Sequence, residues 1–196
     1  MASWAVCSAV VAPVALIGGW TVAAARQPAG YSSVRNTISA LAATGAHDRW
    51  IMTVALALLG CSHAVTAAGL RPARGRGRLL LAAGGLATVG VAIFAQPASG
   101  SSKAHVLLAT IGFGCLALWP ALAAVRGAGL ALAPAWSWIA TLALLVLLGV
   151  FAATLSGGLA GLTERLLAGA EALWPLAVVL AATLAGNRSD EADPAR

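Results

Sequence analysis

The chain has 196 residues, 60% of them hydrophobic and 9% charged, with a mean hydropathy of +0.89. A soluble domain carries about 25% charged residues, so the composition excludes a soluble globular protein and points to a polytopic membrane protein. The net charge of +6 does not point to nucleic acid, because Arg71, Arg74, Arg76 and Arg78 crowd one short loop between apolar segments, the signature of a cytoplasmic loop under the positive-inside rule.

A membrane-spanning helix needs about 20 apolar residues. The first such run, about 3–25, lacks a basic start, continues past Gly18-Gly19-Trp20 and is read as a retained helix with Pro13 inside it. A polar loop follows, in which Val34, Ile38 and Leu41 recur at helical spacing between Pro28-Ala29-Gly30 and Gly45. This predicts a short amphipathic helix lying on, or dipping into, the outer surface, placed to lid a cavity between the helices. Further spans are expected at 50–70, 79–96, 104–125, 136–155 and 166–186, and the tail 188–196 reads as polar and disordered. The fold class is therefore all-α: a single bundle of six transmembrane helices over 1–187 with a short outer-loop helix. Arg126 and Arg188 fall by parity on the side of the Arg71–Arg78 loop, so both termini are expected in the cytoplasm of a cell-membrane protein. The loops around 26–49, 97–103 and 156–165 then share the opposite, outer face.

The polar residues concentrate on that face. Glu171 lies inside the last apolar run, where a carboxylate is costly and marks a function or a helix–helix contact. Glu164 is two helical turns earlier, so the two share a face, with Trp174 close to it. Either glutamate is a candidate acid, or a structural partner of an arginine or hydroxyl. His105 opens the fourth span, and His47 with Asp48 sits on the neighbouring loop, a pairing that leaves a metal or a proton-transfer site open. No dense ligand motif such as HExxH is present, so no metal and no cofactor are assigned. Cys7, Cys61 and Cys115, each inside an apolar run, read as buried small hydrophobes. Ser39, His105 and Asp48 are the members available for a serine hydrolase triad, but Ser39 lacks a nucleophile-elbow context. Of seven tryptophans, Trp4, Trp50 and Trp136 fit interfacial belts, whereas Trp119, Trp138 and Trp174 are candidates to line a pocket for a cation or carbocation.

The run Pro28-Ala29-Gly30-Tyr31-Ser32-Ser33-Val34-Arg35-Asn36-Thr37-Ile38-Ser39-Ala40-Leu41 resembles the hallmark of domain-of-unknown-function family 998, a family of bacterial membrane proteins. His105 at a span start, and Gly161-Leu162-Thr163-Glu164-Arg165 followed by Leu173-Trp174, fit the same family. The resemblance implies one outer site assembled from Tyr31, Ser32, Arg35, Ser39, His105 and Arg165. By size and topology the chain is also similar to small actinobacterial membrane-bound terpene cyclases. The reading that follows is an integral membrane enzyme acting on a membrane lipid or hydrophobic isoprenoid, in its sharpest form acid-initiated cyclisation of a prenyl chain. Glu171 or Glu164 would be the acid, with Trp119, Trp138 and Trp174 beside the cation. A small lipid or solute carrier and a non-catalytic partner subunit are the alternatives. The sequence leaves the oligomeric state open.

Overall fold

The computed structural model describes residues 1–127 and 129–192, with side chains of the last helix described as far as Gly186. Six long helices and one short one make up the bundle: α1 (Ser3–Ala25), α2 (Ile38–Ala42), α3 (Trp50–Gly69), α4 (Gly75–Ile93), α5 (Lys103–Ala123), α6 (Pro134–Thr154) and α7 (Ala160–Ala192), with a 3-10 turn at Leu130–Leu132 before α6. The described residues contain no strand. All helices but α2 are long and apolar enough to cross a membrane, as the composition predicts.

The long helices close a ring in the order α1, α3, α4, α5, α6, α7 and back to α1, and α2 is tucked against α1, α3 and α7 at one end. Small residues set the closest approaches, as expected where lipid supplies no hydrophobic drive between helices. At the α3–α4 crossing Gly60 faces Gly85, and a Cβ on either would collide with the other's carbonyl oxygen. Pro13, Pro120 and Pro175 lie within α1, α5 and α7. Two apolar clusters stack along the bundle. One lies under α2 and includes Leu16, Ile38, Leu41, Met52 and Leu59; the other, toward the opposite end, includes Leu70, Leu81, Trp119, Val178 and Val179.

Of the element boundaries that differ from the sequence expectation, three move polar residues into helices. α4 begins at Gly75, so Arg76 and Arg78 lie in its first turn rather than in the loop, and Arg78 donates to the freed carbonyls of Ala67 and Ala68 at the end of α3 (2.7 and 2.8 Å). α7 begins at Ala160, so Glu164 is helical rather than in a loop. Its helix also runs to Ala192, into the segment expected as an irregular tail; 193–196 fall outside the described residues. Cys7 and Cys61 are exposed and Cys115 is partly so, on the helix surfaces rather than in the core.

The three loops expected on one face do meet. Thr44 N–H donates to the Gln96 carbonyl (2.8 Å), linking the first loop to the second, and Leu162 N–H donates to the Val34 carbonyl (3.0 Å), linking the first to the start of α7.

Candidate functional site

The site is built where α2 meets α5 and α7. Thr37 caps α2 by accepting from Ala40 N–H at 3.1 Å. The first helical residue, Ile38, has a free N–H of the kind every helix start leaves unpaired, and it donates to Glu164 Oε2 from α7. The same carboxyl reaches Ser39, whose Oγ lies 3.3 Å from Glu164 Oε1. On its other side Ser39 Oγ is 3.1 Å from His105 Nε2. His105 Nδ1 is 3.0 Å from the Phe94 carbonyl, freed because α4 stops at Ile93. Ser102 caps α5 and accepts from His105 N–H at 3.3 Å. His105 and Glu164 are buried, at 2% and 3% exposure.

The proton positions in this chain follow from donor and acceptor roles. A carbonyl only accepts, so His105 Nδ1 carries a hydrogen. Ser39 has one O–H. If it donates to His105 Nε2, the proton between Ser39 and Glu164 belongs to the carboxyl, and both end groups are neutral. If it donates to Glu164, the carboxyl is ionised and His105 Nε2 must carry the proton, as imidazolium. The two arrangements differ by one proton relayed through the serine hydroxyl. The buried site is therefore wired for proton transfer between an acid and a base.

Three cavities meet at Ser39. A polar vestibule of about 480 Å³ is bordered by Gln27, Tyr31, Asn36, Thr37, Thr44 and Gln96. A groove of about 430 Å³ runs between α5 and α6, with Ser39, Gln96, His105 and Glu164 at its head and Phe113, Leu148, Phe151 and Leu155 along its walls. Phe113 and Phe151 meet edge to face, centroids 5.6 Å apart. Small-molecule sites run to about 300–1,000 Å³, so the groove is of ligand size. The third is a small inner cavity of about 50 Å³ that reaches Glu171 and His63.

The other residues singled out from sequence fall into separate roles. Arg165 is spent on the loop: its Nη1 donates to the carbonyls of Ser33 (2.7 Å), Asn36 (2.9 Å) and Gly161 (2.8 Å), and its Nη2 to Tyr31 Oη (2.8 Å). The guanidinium carbon also stands 6.0 Å over the Trp20 ring. Gly161 completes this clamp, since a Cβ there would strike the Asn36 and Ser33 carbonyls. Ser32 supports the same turn, its N–H donating to Asn36 Oδ1 (3.0 Å), and Arg35 points out to solvent. Tyr31 alone of these four borders the vestibule. Arg165, Tyr31 and Ser32 thus hold the loop that presents Ser39. Asp48 is not joined to Ser39 and His105: it pairs with Arg26 Nε at 2.8 Å, and that bond holds its carboxyl below the usual carboxylate range. The place a triad would give to Asp48, on His105 Nδ1, is taken by the Phe94 carbonyl, and Glu164 lies on the far side of Ser39. His47 sits exposed beside Asp48, apart from the contacts of His105. Among the described residues no group of three or more His, Cys, Asp or Glu gathers into a metal site. Trp138 lies on the exposed outside of α6, and Trp119 and Trp174 belong to the second apolar cluster, so the three do not form one cage. The aromatic side chains that line the groove with Glu164 are Phe113 and Phe151 instead; with only three phenylalanines in the chain, their shared position was not marked by any spacing.

No curated protein and no solved structure matches the chain. The family model described as protein of unknown function (DUF998) matches residues 9–181, from α1 through most of α7. That match takes in the Pro28–Leu41 motif, His105 and Glu164, and the chain belongs to this family.

Proposed function

We propose that the chain is an integral membrane enzyme acting on an amphiphile with a lipid-like or isoprenoid tail, and that Glu164, Ser39 and His105 do acid–base chemistry at the head of the groove. The observation that carries the proposal is the buried Glu164–Ser39–His105 chain opening on both an apolar groove and a polar vestibule. A tail fits against Phe113, Leu148, Phe151 and Leu155, and a polar head reaches Gln96, Thr37 and Tyr31.

The most concrete form is acid-initiated cyclisation of a prenyl chain. The reaction needs an acid at its start and a base at its end, and the relay holds both. Glu164 O–H breaks as a C–H bond forms on the alkene, and the carboxylate left behind accepts from Ile38 N–H and Ser39 O–H. The cation moves along the chain as the ring closes, beside the faces of Phe113 and Phe151. A C–H proton is then lost to the relay, Glu164 is protonated again, and the product is an isomer of the substrate. The Ser39–Glu164 contact, at 3.3 Å, is the longest link in the chain and the one a substrate atom displaces. The experiment is incubation of prenyl and lipid extracts with the protein in D2O. One deuterium in an isomeric product, absent with Glu164→Gln, supports the reading. Full turnover by Glu164→Gln refutes it.

One observation favours a second reading, acyl transfer with Ser39 as nucleophile: His105 Nε2 faces Ser39 Oγ at 3.1 Å while a third group, the Phe94 carbonyl, orients the ring. A fluorophosphonate probe decides between them. Labelling of Ser39 that His105→Ala abolishes selects acyl transfer; an unlabelled Ser39 selects the acid reading.

A further inference from the structure

The inner cavity lies beneath the relay, and its deeper polar residues, Glu171, His63 and Thr88, take no part in the chemistry just described. Its lining includes Ser39, Glu164, Glu171, His63 and Thr88 among apolar side chains. Glu171 and His63 are 1% and 0% exposed. Glu171 Oε1 and both ring nitrogens of His63 have no hydrogen-bond partner in the protein. Thr88 donates its hydroxyl hydrogen to the Gly84 carbonyl of its own helix (2.9 Å) and keeps its lone pairs for the cavity.

Buried polar atoms are nearly always bonded. Apolar cavities stay dry, but a cavity with several polar groups holds water if each molecule has about 10–15 Å³. The volume of about 50 Å³ therefore suits about three to five waters. The span fits the same count. Seven residues of helix separate Glu164 from Glu171 by roughly 10.5 Å, and three waters in file, with hydrogen bonds of about 2.8 Å, cover about 11 Å.

We propose that this cavity is a hydrated proton store, in which a short file of water held by Glu171, His63 and Thr88 connects the Glu171 carboxyl to Glu164. When Glu164 has lost its proton, each water accepts from one neighbour and donates to the next. The O–H bond of Glu171 breaks, one forms on Glu164, and Glu171 is left as a carboxylate facing His63. No electrons move and no other reactant is needed. The store is closed below: on α3 the next polar residue, Thr66, is taken up by Ser8 (2.8 Å), and the cluster of Ala67, Leu70, Leu81 and Trp119 follows. The cavity is thus a dead end rather than a channel. The inference goes beyond the proposed catalysis, because water and an exchangeable proton are detectable whether or not a substrate is turned over.

The test is X-ray hydroxyl-radical footprinting of the protein in lipid nanodiscs, which labels side chains beside internal water. Leu16 and Ile38 line the cavity at 1% and 3% exposure, and Leu81 and Leu132 in the other cluster are comparably buried at 0% and 2%. Labelling of the first pair several-fold above the second is expected, falling to the level of the second in Glu171→Leu. Equal labelling of both pairs in the wild type shows a dry cavity and overturns the proposal. Infrared spectra add a readout that does not depend on a folded Leu variant. The carboxylic C=O band lost in Glu171→Gln shifts when wild-type protein is moved into D2O; a band that stays unshifted also overturns the proposal. Inactive protein with a wet, exchanging cavity would sink the catalytic reading and leave this one standing.

Discussion

Replacing Glu164 separates its two jobs, holding α2 and carrying a proton. Glutamine reproduces the neutral arrangement of the relay: its carbonyl oxygen accepts from Ile38 N–H and its amide donates to Ser39 Oγ, which still donates to His105. That arrangement separates no charge in a site 3% exposed, where an unbalanced charge is costly. Glu164→Gln is therefore expected to fold with a stability loss under about 1 kcal/mol. Leucine has the size but no acceptor. It leaves Ile38 N–H buried and unpaired, at about 1–3 kcal/mol, and forfeits the Ser39 bond, at about 0.5–1.5 kcal/mol. The sum, about 1.5–4.5 kcal/mol, corresponds to a melting-temperature drop of roughly 3–18 °C for a chain of this size. The assay is thermal unfolding of wild type, Glu164→Gln and Glu164→Leu in one detergent, followed by tryptophan fluorescence, to which Trp20 near this end of α7 contributes. Leucine as stable as wild type would refute the claim that Glu164 holds α2. Glutamine as damaging as leucine would refute the neutral arrangement and favour the ion pair.

Further outcomes follow from the same geometry. Gly161→Ala drives a Cβ into the Asn36 and Ser33 carbonyls and should cost about 1–3 kcal/mol; hydrogen exchange across 31–42 should rise, and unchanged protection there would contradict the clamp. Gly85→Val, at the α3–α4 crossing, should lower the yield of folded protein far more than Gly114→Val, where a Cβ meets nothing, as read by size-exclusion profile. Asp48 is held low first by its bond from Arg26. A carboxyl depressed on folding adds stability above its unfolded value and loses it as pH falls through the folded value, so Arg26→Ala should move the Asp48 midpoint up toward the ordinary range; an unmoved midpoint by carboxyl NMR would discount the pair. Trp138→Ala, on the exposed face of α6, should leave turnover within about twofold, whereas Phe151→Ala in the groove should reduce it about tenfold or more, a loss of roughly 1.4 kcal/mol.

Hydropathy made the spans legible because a lipid-facing helix needs apolar residues on every side. It placed the start of α7 too late for a physical reason: its first two turns carry Thr163, Glu164 and Arg165, which read as a polar loop until their partners are known. Those partners lie in another loop. Arg165 bonds residues 129 to 134 positions away, and Glu164 bonds Ile38 and Ser39 across 126 and 125. No local pattern records such distances. Ser39 and His105 were legible as neighbours because parity of the spans puts both at the same end of the bundle, and the structure joins them. Asp48, offered with them as a triad acid, is paired with Arg26 instead, and Glu164, singled out separately as a candidate acid, is the carboxyl that reaches Ser39. The tryptophans misled because their number drew attention to them, whereas the position of Phe113 opposite Phe151 is set by the packing of α5 against α6.

The central claim is that the groove beside Glu164, Ser39 and His105 holds an amphiphile. It is tested most directly by native mass spectrometry of protein released gently from its membrane, with extraction and identification of what it carries. The comparator is Ala109→Trp, which places an indole in both the groove and the inner cavity. The account predicts one bound molecule with an apolar tail and a single polar head on the wild type, and none on Ala109→Trp. Wild-type protein that emerges free of any such molecule, or equal retention by both proteins, would contradict it.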